Sequence, residues 1–86
     1  MTIEERIDQA VLAADAVAAL TDLVHGLHAE GLTKQQIGTA YHLAYRAYQD
    51  ADRDDHADRV ADLLDVLTGW CSPGNRILPD EPDAKI

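Results

Sequence analysis

Residues 2–30, TIEERIDQAVLAADAVAALTDLVHGLHAE, decide how this chain folds. Thr2 is the expected N-cap of a helix, with Glu4 and Glu5 in the first turn, where the helix dipole favours acids. No proline interrupts the stretch. Gly31 follows it, a residue that takes the left-handed backbone conformation on which helices end. On a helical wheel Glu4, Asp8, Asp15 and Asp22 form one narrow polar stripe. Ile3, Ile7, Val11, Ala14 and Ala18 fall on one side of it, and Leu12, Leu20, Leu23 and Leu27 on another. A helix with two apolar faces needs two partners.

Length sharpens that need. A rod over this stretch spans about 42 Å, whereas the two helical segments that follow span about 25 Å each. A short hairpin does not cover it. Either the rod breaks, and "HGLH" (25–28) is the place considered, or its second face meets another copy or another protein. The expectation is a homodimer joined through Leu12, Leu20, Leu23 and Leu27, two-fold association being the commonest closed symmetry.

Downstream, "GLTKQQI" starts a second segment with Thr33 as N-cap and Gln36 three residues on, the capping-box pattern, and runs to about Asp50. Ile37, Tyr41, Ala44, Tyr45 and Tyr48 share one side of it, and Gln35, His42, Arg46 and Gln49 the other. The polar "DADRDD" (50–55) is a connection in which Asp54 or Asp55 caps a third segment. There Val60, Leu63, Leu64 and Leu67 oppose Asp58, Asp62 and Asp65. This apolar stripe continues to Trp70 and Cys71, so the helix is expected to reach about Cys71 with both packed inward. The competing reading stops it at Gly69 in a Schellman motif. "SPGN" (72–75) then makes a turn, Pro73 fixing one φ and Gly74 supplying a positive one. No segment alternates with the period of two that strands need. The fold class is therefore all-α: a long N-terminal helix plus a shorter helical hairpin, as one domain over 1–78, with residues 79–86 expected to fray.

Charge and composition bound the function. The chain has 86 residues, 16 acids against seven bases and a net charge of −9. That balance repels phosphate backbones and anionic membrane surfaces, so neither nucleic acid nor membrane is an expected partner; it suits solubility alone, the preferred reading, or a basic protein partner. A single cysteine makes no internal disulfide, and the acidic start MTIEERIDQ does not resemble a secretion signal. Asp15 interrupts the most apolar run, so no membrane span is expected and the cytoplasm is the default compartment.

Few patterns point to chemistry. Cys71 falls at a helix C-terminus, where the dipole disfavours thiolate, and is read as structural together with Trp70, Pro73 and Gly74. His25 and His28, three residues apart, share a face but lack the H-E-x-x-H context of a zinc pair, and a polar seam between helices is the preferred reading. Asp50, Asp52, Asp54 and Asp58 match calcium-loop positions 1, 3, 5 and 9, yet Asp55 stands where glycine is required and Ala61 where a bidentate glutamate is. No catalytic, metal or cofactor-binding residue is assigned, and no cofactor is expected. The leading expectation is a non-enzymatic interaction or regulatory module. The alternative is an inhibitor of a basic partner (an immunity protein, an antitoxin or a nucleic-acid mimic) that works through Asp58, Asp62 and Asp65. A small enzyme would require an enclosed pocket joining His25, His28 or His56 to a tyrosine.

Overall fold

A computed structural model describes residues 2–69, 77–78 and 80–85. Among the described residues four helices follow one another: α1 (Ile3–Val11), α2 (Ala16–Ala29), α3 (Lys34–Asp50) and α4 (Asp54–Thr68). No strand occurs among the described residues. The all-α expectation holds, and the count of helices does not.

The N-terminal rod is broken, and not at "HGLH". Leu12 caps the end of α1, and Asp15 starts α2 as its N-cap, its carboxylate accepting the Ala18 N–H at 3.1 Å. Asp is a poor interior residue and a good cap because its short side chain competes for backbone N–H groups. The break has a tertiary cause as well. The molecule's longest dimension is 33 Å, shorter than the roughly 42 Å of an unbroken rod. Folding α2 back along α1 brings Ile7 and Val11 into one core with Leu20, Val24 and Leu27, all essentially inaccessible to water. Each such aliphatic side chain contributes about 2 kcal/mol on burial. A paired ion contact closes the fold-back: the Arg6 guanidinium donates to both carboxylate oxygens of Glu30, at 3.0 and 2.7 Å. From α4, Arg59 donates to the Val11 carbonyl at 3.4 Å, near the open end of α1.

The other helix ends follow local chemistry. Gly31 has φ +106°, with Gly31 N–H on the His28 carbonyl and Leu32 N–H on that of Leu27, which together form a Schellman motif. Thr33 and Gln36 form the expected capping box. Between α3 and α4 the chain turns through Asp52 at φ +58°, a conformation aspartate tolerates. The N-cap of α4 is Arg53, without a side-chain cap bond, while Asp54 and Asp55 occupy the first turn. Neither aspartate is the cap the sequence suggested.

Helix α4 ends at Thr68, and Gly69 takes the left-handed conformation at φ +83°. Continuation to Cys71 is therefore corrected in favour of the stop at Gly69. A left-handed residue reverses the chain before a further helical turn can form. Trp70, Cys71, Pro73 and Gly74 lie outside the described residues. The expected wheel faces are otherwise seen: Ile37, Tyr41 and Tyr48 of α3 and Val60, Leu63 and Leu67 of α4 are buried. Tyr41 is wholly enclosed and donates its hydroxyl to the Leu20 carbonyl at 2.7 Å.

The tail also departs from expectation. Ile77 packs on the core, Ala84 is buried, and the Ala84 N–H donates to the Leu67 carbonyl at 2.9 Å. Residues 81–85 thus lie docked against the ends of α3 and α4, where fraying was expected.

Candidate interaction groove and acidic face

The break in the rod redistributes the residues assigned to partner binding. Leu20 and Leu27 are core, and Leu23 is partly buried against that core. These three are withdrawn as a docking surface, because α2 spends that face on its own chain. Leu12 differs: it caps α1 at the elbow and is 72% exposed.

Leu12 stands at one end of a groove that the sequence did not announce. The seam between α1 and α3 carries three successive depressions with shared walls, from Ile3 and Ala40 at one end to Leu12 and His56 at the other. Ala40, Ala44, Ala47 and Ala51 line the α3 side, where small side chains leave room between the helices. Leu43, 58% exposed, rises beside them. Glu4 and Asp8, one helical turn apart, put carboxylates on the α1 side. The widest depression, about 480 Å³, opens at the Leu12 end. A signal was present in hindsight. Ala40, Ala44 and Ala47 of α3 and its C-cap Ala51 recur at intervals of four, three and four, beside Tyr48 of the tyrosine stripe.

Polar groups meet at that wider end. The Tyr48 hydroxyl donates to the Asp8 carboxylate. Burial, then this bond, pushes the Tyr48 phenol well above its ordinary pKa. The His56 ring packs edge-on to Tyr48, with centroids 5.3 Å apart, and its buried Nδ1 has no hydrogen-bond partner among the described residues. Arg53 lines the same opening. A separate depression at the α1–α2 elbow is about 600 Å³, and the Arg6 guanidinium that lines it is already bound to Glu30.

Asp58, Asp62 and Asp65 are exposed along α4, as the wheel required. His25 is exposed, and His28 pairs with Glu81 of the tail. The two histidines thus face outward where a seam between helices was expected. Asp50 ends α3 while Asp54 starts α4 and Asp58 lies within it, so the aspartates sit on two helices in place of a twelve-residue loop. Among the described residues no group of three His, Cys, Asp or Glu side chains is placed to hold a metal ion. No helix among them is long and apolar enough to cross a membrane.

Comparison of the chain with protein-family models, with curated proteins and with solved structures gave no match in any of the three.

Proposed function

We propose that this chain is a non-enzymatic interaction module that receives a basic amphipathic helix of a partner protein in the α1–α3 groove. The observation that carries the proposal is the pairing of two exposed leucines, Leu12 and Leu43, with the carboxylates of Glu4 and Asp8 along one open seam. An incoming helix lays apolar side chains between the leucines and over the alanines, and sets lysine or arginine against the α1 wall. The net charge of −9 steers such a partner from a distance. The carboxylates of the groove's α1 wall, Glu4 and Asp8, belong to exposed residues, a setting in which general acid–base groups gain little, and this favours docking over catalysis. Self-association through Leu20, Leu23 and Leu27 loses its motive, because the fold-back of α2 uses that face.

A fluorescent helical peptide with leucines on one face and lysines on the other is the direct probe. Binding is expected to weaken by about tenfold from low ionic strength to about 0.15 M salt. It is expected to be lost on Leu43→Glu and on Asp8→Lys while the helical circular dichroism is kept. Unchanged affinity in Leu43→Glu sinks the proposal.

A second reading rests on the exposed ridge of Asp58, Asp62 and Asp65: inhibition of a basic partner by an acidic face, without use of the groove. Reversing the three aspartates to lysine separates the two. It abolishes binding by the ridge and leaves the local contacts of the groove in place.

A further inference from the structure

The corner where α2 meets α3 holds a polar arrangement that the groove does not use. Lys34, the first residue of α3, is 1% exposed. A lysine ammonium is rarely enclosed without a partner, and here Nζ donates to the Asp83 carboxylate at 3.1 Å. The backbone N–H of Lys34 donates to Glu81 at 3.1 Å, so one carboxylate sits on the positive end of α3 and the other on its buried cation. The His28 imidazole pairs with Glu81 from the end of α2. Beyond them the Gln35 amide treats Lys85 as a strand would: its Oε1 accepts the Lys85 N–H at 2.7 Å and its Nε2 donates to the Lys85 carbonyl at 2.9 Å. Between these contacts Ala84 is 4% exposed and its N–H donates to the Leu67 carbonyl.

Each contact reads a different property of a segment that is neither helix nor strand over 82–85. Its carboxylates, two residues apart, both face the start of α3, where they meet a helix terminus and a buried ammonium. The next residue is Ala84, whose enclosure favours a small side chain. The residue after it is recognised through its backbone alone, by a side-chain amide that reproduces a peptide group. Together these contacts select on charge, size and backbone conformation, as a peptide-binding site does.

We infer that the corner formed by His28, Lys34, Gln35 and the Leu67 carbonyl is a receptor for acidic peptides of the form Glu-x-Asp-small, and that residues 81–85 occupy it in cis. A partner segment carrying that pattern competes with the chain's own strap. The occupant is acidic, so it is distinct from the basic helix assigned to the groove. Each site stands or falls separately.

The probe is a fluorescently labelled peptide with the sequence of residues 77–85, added to the full chain and to the full-length Glu81→Ala/Asp83→Ala variant. The variant is expected to bind the peptide at least about tenfold more tightly than the unaltered chain. Lys34→Met added to that variant is expected to remove the binding, as is an asparagine in the peptide at the position of Asp83. Equal binding by the unaltered and weakened chains overturns the inference. So does a folded variant that ignores the peptide, including one that pairs with a second copy in its place. Should the variant fail to fold, hydrogen exchange in the unaltered chain decides. The Ala84 amide is expected to exchange through an opening cheaper than global unfolding, and exchange only by global unfolding overturns a displaceable strap.

Discussion

Lys34 and Asp83 show how unequal two halves of one ion pair can be. Lys34 is enclosed, whereas Asp83 is 34% exposed. Removing the carboxylate strands a buried charge, and removing the lysine leaves a carboxylate that water reaches. Asp83→Ala is therefore expected to cost about 3 kcal/mol in urea unfolding, the low end for a broken buried pair because the site borders solvent. Lys34→Met, which keeps the volume and drops the charge, is expected to cost less than half as much. Equal losses would show that the pair is not desolvated. Tyr41 makes a simpler case: its hydroxyl is enclosed and bonded to the Leu20 carbonyl, and burial pushes its phenol far above the ordinary range. Tyr41→Phe is expected to cost about 1 kcal/mol, the net worth of one such bond. Tyr41 was legible as a core position from its spacing with Ile37 and Tyr48. Lys34 was not, because a lysine beside a cap reads as solvent-exposed until the tail is known to cross it.

At the scale of the element, the elbow between α1 and α2 is the decision on which the fold turns. Leu12, Ala13 and Ala14 are good helix formers, so local preference alone continues the rod through them. Asp15 offers the alternative, and the energy gained by wrapping Leu20, Val24 and Leu27 around the α1 core selects it. Asp15→Ala is expected to destabilise the protein by about 1 kcal/mol, as loss of an N-cap does, measured by chemical denaturation. A gain in stability on that substitution would mean that the aspartate's cap is dispensable. The two competing ends of α4 differed in the same way. Continuation of the apolar stripe favoured a longer helix, while Gly69 favoured a stop, and the left-handed glycine prevailed.

For the whole molecule, carboxylates link stability to pH on the acid side. Hydrogen bonds from Arg6 hold Glu30 below its ordinary value of 4.5, and the Lys34 backbone N–H, helped by His28, does the same for Glu81. A carboxyl whose folded pKa is depressed stabilises the fold above its unfolded pKa, and that contribution disappears as the pH falls through the folded value. Both contributions are thus complete near neutrality and are lost below about pH 4.5. In an acid titration followed by NMR, the Ala84 and Lys85 amides are expected to lose protection before α3 and α4 unfold. Their persistence to the global transition would refute a strap held by Glu81.

The sequence by itself determined the helical class, three of the helix starts and ends at Thr2, Gly31 and Thr33, and the buried stripes of α3 and α4. These depend on neighbours within one or two turns, where capping and side-chain spacing act. Tertiary structure alone decided that the N-terminal segment folds back on itself, that Leu20 and Leu27 belong to the core, and that the tail crosses α3 over Lys34. Each of those outcomes balances a modest local cost at one residue against apolar area and charge pairing supplied from tens of residues away. No local pattern carries that balance.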